Sequence, residues 1–310
     1  KGSSKSGGNY MERVKMSTDL EFSRIVHGLW RLNEWDISKE QLLQLIEQCL
    51  EMGITTFDHA DIYGNFTCEE IFGEALKLNP KIREKMEIVT KTGIVFKSNN
   101  RPEHDGHYYN TTFDHIVKSA ERSLQNFGTD YIDVLLIHRP DPFMDPEDVA
   151  RAFNQLKSEG KVNYFGVSNF TQNDFTLLQS YLDFDLVTNQ IEASVLKYDN
   201  FENGTIKFLQ EKRINPMIWS PLAGGEIFTS QSESAIRVRN VLTEIARKHN
   251  TENISEIAYA WLLAHPAKLI PIVGSGKINR ISEAVNALNI KLTRADWFAI
   301  LDALVGHEVA

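Results

Sequence analysis

The stretch Ile132-Asp133-Val134-Leu135-Leu136-Ile137-His138 decides the fold. Four aliphatic residues in a row, Val134 to Ile137, leave no polar face, whereas a strand with one wet side alternates. Near-continuous apolar runs of this length belong to strands covered on both faces, and such strands build parallel sheets. The segment before it carries Phe113, Ile116, Val117, Ala120, Leu124 and Phe127 at helical spacing, so helix and buried strand follow one another.

Working outward, the alternation recurs along the chain. Short runs rich in β-branched residues predict eight strands, at 24–29, 54–58, 86–91, 132–138, 162–168, 185–190, 216–220 and 268–273. Amphipathic segments lie between them, one carried by Leu42, Leu45, Ile46, Cys49 and Leu50. Ser38 with Gln41 makes a capping box at its start, and Thr171 caps another helix. Eight strand–helix units in one chain predict an α/β fold, a (β/α)8 TIM barrel. A doubly wound sheet in two domains would need a linker near the middle, and no Pro/Gly/Ser-rich linker occurs. The barrel is expected over 17–310 as a single domain, with 1–16 a flexible tail or expression scar. After Thr293, the residues Ala295, Phe298, Leu301 and Leu304 share a helical face and predict an extra C-terminal helix.

Composition excludes several classes. With 310 residues, 42% hydrophobic and 24% charged, the chain is not intrinsically disordered. No run of about 18 apolar residues occurs, so no membrane-spanning helix is expected. The net charge of −9 argues against a nucleic-acid partner, which requires a basic face. A small-molecule partner is expected instead, with a monomer or small homo-oligomer. Two cysteines, Cys49 and Cys68, cannot make a disulfide framework. They read as reduced thiols in the cytoplasm.

Polar residues stand where the apolar runs stop. Asp58, Lys91, His138, Ser168 with Asn169, and Gln190 end five consecutive candidate strands, and in a barrel such ends converge on one face. A charge at that depth requires a partner, and Asp58 and Lys91 form a natural pair. Tyr63 lies five residues beyond Asp58, within reach of the same point. A buried ammonium beside a phenol is expected to lower the phenol's pKa and make it a proton donor near neutral pH. His138 could orient a carbonyl oxygen. The set fits protonation of an oxyanion that forms as hydride arrives. The long segments 94–110 and 223–234 follow the third and seventh strands and are expected as pocket walls, with Trp30, Tyr108 and Tyr109 as an aromatic lining for substrate. His27 is expected to pack rather than react.

Six ordered motifs carry a resemblance. Thr56-Phe57-Asp58-His59-Ala60-Asp61-Ile62-Tyr63, Val89-Thr90-Lys91, Leu136-Ile137-His138-Arg139-Pro140-Asp141, Gly166-Val167-Ser168-Asn169-Phe170, Asn189-Gln190 and Trp219-Ser220-Pro221-Leu222 resemble those of the aldo-keto reductases, and the resemblance runs from about residue 24 to 304. It implies an NADP-dependent oxidoreductase that reduces aldehydes or ketones, with a catalytic tetrad of Asp58, Tyr63, Lys91 and His138 and Tyr63 as general acid/base. It also implies a nicotinamide cofactor without a Rossmann domain. Ser168, Asn169 and Gln190 would bond the carboxamide, and Trp219 would stack on the ring where many members have Tyr. Ser220, Pro221 and Leu222 would follow along the cofactor, Gly28, Leu29 and Trp30 would lie under the nicotinamide with Trp30 facing substrate, and Asp58 would also belong to the cofactor site. For the phosphate end, Gly274-Ser275-Gly276-Lys277 turns the last strand into a helix, a common barrel phosphate site. The resemblance gives Arg280 the adenosine 2′-phosphate, which favours NADPH over NADH, although Gly274 stands where many members carry lysine.

Two other readings compete. His59-x-Asp61 invites a metal-dependent barrel hydrolase, but Ser168, Asn169 and Gln190 are poor metal ligands, so no metal is expected. A non-catalytic NADPH-binding regulatory subunit could use the same barrel. The intact set Asp58, Tyr63, Lys91 and His138 favours turnover.

Overall fold

The computed structural model describes residues 11–310. Its strands in chain order are β1 (Arg13–Ser17), β2 (Leu20–Ser23), β3 (Val26–Gly28), β4 (Thr56–Asp58), β5 (Glu87–Thr92), β6 (Ile94–Val95), β7 (Tyr108–Tyr109), β8 (Ile132–Ile137), β9 (Val162–Ser168), β10 (Asn189–Glu192), β11 (Met217–Trp219) and β12 (Ile270–Val273). Eight of them close into one barrel in the order β3-β4-β5-β8-β9-β10-β11-β12. Every neighbouring pair is parallel, as the two-sided apolar runs predict. Helices between the strands cover the outside, and the expected (β/α)8 barrel is the observed architecture.

Aliphatic side chains fill the barrel interior: Val26, Val89, Val134, Leu136, Val187, Met217, Ile270 and Ile272. Val14, Leu20 and Phe22 from the antiparallel hairpin β1–β2 join this cluster. The hairpin runs directly into β3 and therefore plugs the N-terminal mouth. Phe22 is fully buried there, a burial that stabilises by about 1.5–3 kcal/mol. The expected tail over 1–16 is corrected by this hairpin, because Arg13–Ser17 is a strand tied down by an Arg13–Glu21 ion pair of 3.0 Å. Residues 1–10 of that expectation lie outside the described residues. The signal was a short period-2 alternation, Val14-x-Met16 against Leu20-x-Phe22, hidden behind a Gly/Ser-rich start.

The caps fall where the sequence puts them. Ser38 Oγ accepts from Gln41 N at 3.1 Å and Gln41 Oε1 accepts from Ser38 N at 2.9 Å, opening the helix Lys39–Glu51. Thr171 caps Gln172–Gln179 with Asp174 reciprocating. The sixth barrel strand is displaced from 185–190 to Asn189–Glu192, although Val187 N still donates to Phe165 O at 2.8 Å. The C-terminal helix spans Arg294–Val305, but its expected face is corrected. Ala295 and Phe298 are exposed, while Ile300, Leu301 and Ala303 are buried. The reason is Trp297, whose ring stacks on Trp261 at 4.8 Å. The two indoles exchange Nε1–H donations to each other's carbonyl oxygens at 3.0 and 2.9 Å, which fixes the helix's rotation.

Candidate active site

All barrel strands point the same way, so their C-terminal ends share one mouth. A cavity of about 540 Å³ lies over it, within the roughly 300–1,000 Å³ usual for small-molecule sites. Asp58, Tyr63, His138, Ser168, Asn169, Gln190 and Trp219 line it at one end and Gly274, Ser275 and Arg280 at the other.

Lys91 is the buried centre. Its Nζ donates to Asp58 Oδ2 at 2.9 Å, to the His59 carbonyl at 2.8 Å and to Tyr63 Oη at 2.7 Å. An ammonium has three N–H bonds, and all three are used. The phenol oxygen therefore accepts from Lys91, which leaves its own O–H free for the cavity that Tyr63 lines. Asp58 Oδ1 accepts from Gln190 Nε2 at 2.8 Å, so this buried carboxylate has both oxygens bonded.

The expected lowering of the phenol's pKa is corrected. Burial pushes Tyr63 well above the ordinary tyrosine value, and the Asp58 charge adds to the rise. Lys91 is itself pulled down by burial. The physical reason is that desolvation penalises phenolate, and the Asp58 carboxylate beside it adds to that penalty. Tyr63 thus holds its proton at rest, the state a proton donor needs. Burial, followed by the charges of Lys91 and Arg139, keeps His138 neutral, and its Nδ1 has no protein partner among the described residues. The His138 ring stands edge-on to Tyr63 with centroids 6.1 Å apart.

Backbone strain collects at this face. Asn169 has φ 59°, Ser220 φ 48° and Ala223 φ 55°, a pattern typical of functional sites. A side-chain relay holds Asn169: Trp219 Nε1 donates to its Oδ1 at 2.9 Å, and its Nδ2 donates to the His138 carbonyl and to Ser168 Oγ, each at 3.2 Å. Ser168 Oγ in turn donates to the Gln190 carbonyl at 2.8 Å.

At the far end, Arg280 Nη1 lies 3.3 Å from Glu283 Oε1, and that carboxylate also accepts from Ser255 Oγ at 2.7 Å. His27 packs, as expected: its Nε2 is 2.8 Å from the Ser275 carbonyl, and burial holds its pKa down at about 4. It thereby tethers the turn after β12 as a neutral group.

Not every expected residue faces the cavity. Leu29 is buried in the core, Lys277 is exposed beside the helix start, and Gly276 abuts Trp35, whose ring would lie 2.4 Å from any Cβ there. Trp30 is on the wall, but Tyr108 and Tyr109 are exposed, pair with Ile94–Val95 and stand off it. The two long segments contribute Ile94 from one and Gly224, Gly225 and Phe228 from the other. Wall residues the sequence reading did not single out include Arg31, Ile62, Arg139, Tyr259 and Glu283. Arg31 and Arg139 adjoin Trp30 and His138, a usable signal; Tyr259 and Glu283 arrive from helices and gave none. His59 lies edge-on to Phe72 and Phe127 at 4.4 and 4.8 Å, whereas Asp61 accepts from Ser119 Oγ at 3.0 Å. Both His59 ring nitrogens and Asp61 Oδ1 have no protein partner among the described residues.

The sequence profile of the Aldo/keto reductase family matches residues 24–305. An uncharacterized oxidoreductase, YcsN of Bacillus subtilis, is 55% identical over 299 residues, covering 96% of this chain and 100% of that protein. A 6-dehydroglucose reductase of Agrobacterium fabrum is 45% identical, with 97% and 100% covered. Among solved structures, a thermostable aldo-keto reductase in complex with the inhibitor epalrestat aligns with a TM-score of 0.79 at 27% identity, over 94% of this chain and 100% of that one.

Proposed function

The chain belongs to the Aldo/keto reductase family, and we propose that within it the protein is an NADPH-dependent reductase of aldehydes or ketones with Tyr63 as general acid. One observation carries the reading. Lys91 donates to the phenol oxygen at 2.7 Å, so the phenol's proton is available to a cavity ligand.

The residues present fit a nicotinamide dinucleotide. One continuous cavity joins the Tyr63 phenol to the Arg280 guanidinium, so an amide-bearing ring and a phosphate can be served together. Ser168, Asn169 and Gln190 would hold the carboxamide, Trp219 the ring, and Ser275 with Arg280 the phosphates. When bound, the cofactor supplies hydride. A substrate carbonyl oxygen is received by Tyr63 Oη and the neutral imidazole of His138. As negative charge grows on that oxygen, Tyr63 releases its proton to it. The phenolate left behind already accepts from Lys91, whose ammonium Asp58 and Gln190 keep in place. Positioned proton transfer of this kind contributes about 10²–10⁴ in rate.

Arg280 supports a preference for the phosphorylated cofactor, since a guanidinium matches a phosphate dianion in charge and shape. The name of the Agrobacterium relative places sugar-derived aldehydes among the first compounds to test. The two buried free thiols, Cys49 and Cys68, support a reducing, cytoplasmic setting. The decisive experiment follows NADPH absorbance against small aldehydes, quinones, dicarbonyls and keto-sugars, in wild type and Tyr63→Phe. Consumption by wild type alone is expected. A flat panel despite tight NADPH binding would favour the regulatory subunit.

A further inference from the structure

Three arginines line the cavity, and two have partners. Arg280 pairs with Glu283 at 3.3 Å. Arg31 lays its guanidinium over the Trp30 ring, 4.7 Å from the centroid. Arg139 has no hydrogen bond, ion pair or aromatic stack among the described residues.

Its place is at the reacting end. Arg139 directly follows His138 where β8 stops, and Pro140 restrains the backbone behind it. Tyr63, His138 and the half-buried Glu192 carboxyl at the end of β10 all feel its charge. The proposed mechanism gives the carbonyl oxygen two partners, Tyr63 and His138, and gives the phosphate end to Arg280. Nothing in it uses Arg139. Trp30, Ile62 and Ile94 give the same cavity an apolar wall. Arg139 lines the cavity and is exposed, so its guanidinium is free to turn to an acceptor oxygen brought by the ligand, and its fork can bond two oxygens together.

We propose that Arg139 binds a substrate oxygen other than the reacting carbonyl, so that the protein selects carbonyl compounds bearing a hydroxyl or carboxylate over plain alkyl ones. This rests on the reductase reading and deepens it to a substrate class. The overall charge of −9 repels anions at long range, so a carboxylate would depend on Arg139 more strongly than a hydroxyl does.

The test compares kcat/KM for butanal, glyceraldehyde and succinic semialdehyde in wild type, Arg139→Met and Arg139→Lys. Because Arg139 neighbours Tyr63, all rates can fall in the variants, and the ratio to butanal carries the inference. In Arg139→Met the ratio should fall about tenfold or more for the oxygenated substrates, mainly through KM. A fall with glyceraldehyde assigns the hydroxyl, and a fall with succinic semialdehyde the carboxylate, with partial rescue by Arg139→Lys in the second case. Equal losses on all three compounds overturn the proposal. If wild type consumes no NADPH with any probe, the reductase reading fails separately. Arg139 is then tested by calorimetric titration of the NADP⁺-loaded protein with glycerate: weaker binding in Arg139→Met supports its role, and equal binding overturns it.

Discussion

Gln190 Nε2 donates to Asp58 Oδ1 at 2.8 Å from the strand diametrically across the barrel. The bond joins the residue assigned to the carboxamide with the carboxylate that holds Lys91. A hydrogen bond to a charged group is worth about 1.5–3 kcal/mol, and leaving the acceptor buried and bare costs a similar amount. Gln190→Leu should therefore lower the unfolding free energy by that order and slow turnover as Asp58 loosens. Urea unfolding and kcat on the same preparation check both effects. A variant as stable as wild type would show that the bond contributes nothing.

Tyr63→Phe removes the proton donor but leaves Lys91 two of its three acceptors, Asp58 and the His59 carbonyl. Carbonyl reduction should fall by about 10²–10⁴, while stability and NADPH binding stay close to wild type. Steady-state rates and NADPH fluorescence titration separate the two. Unchanged turnover would assign the proton to another group.

These residues differ in how far the sequence exposed them. Asp58, Lys91, His138, Ser168 and Gln190 were legible because each breaks an apolar run at the same relative point, and a parallel barrel turns that point into a common mouth. The Gln190–Asp58 bond was not, since it depends on which strands end up opposite. Tyr259 and Glu283 reach the cavity from helices, where their spacing resembles any helix face. The phenol's titration depended first on its burial and then on the Asp58 charge beside it, which only the fold reveals. The hairpin β1–β2 was missed because two four- to five-residue strands carry little periodic signal.

Gly64 should tolerate no side chain. Gly64, Asn65 and Phe66 have φ of 64°, 57° and 68° in succession directly after Tyr63. A Cβ on Gly64 would lie 2.5 Å from Cys68 Sγ and 2.8 Å from Thr67 Oγ1. Gly64→Ala should thus destabilise by about 1–3 kcal/mol and displace the phenol, so that kcat falls with stability. Thermal unfolding and kcat measured together test this, and the double variant with Cys68→Ala should regain part of both by removing the sulfur clash.

Asp61 should make stability fall with rising pH. Burial, with the Glu69 charge second, pushes its carboxyl up to about 8 from an ordinary 3.8. Between those values the folded state binds more protons than the unfolded one, so its stability is full at the acid end and is lost as pH rises toward 8. His27 and His115, both held down at about 4 by burial, act oppositely between about 4 and 6.5, where stability rises with pH. Asp61→Asn removes the first effect and keeps the second. Urea titrations at pH 5 and pH 8 should show the variant gaining roughly 1–3 kcal/mol on wild type across that interval. A pH-independent difference would mean that Asp61 is already ionised at pH 5.

Arg280 should separate the two nicotinamide cofactors. Its guanidinium is half-exposed at the cavity's far end and shares Glu283 with Ser255, so it is oriented without being consumed by a fully buried pair. A 2′-phosphate would compete with Glu283 for the same N–H groups and, with two charges, win. Arg280→Ala should raise the Kd for NADPH by about 10–100-fold, or about 1.4–2.8 kcal/mol, and alter NADH binding far less, since NADH brings no phosphate to that point. Fluorescence titration with both cofactors measures the ratio. If both weaken equally, Arg280 serves the turn after β12 rather than the phosphate, and Ser275 and the backbone of that turn would carry the anion alone.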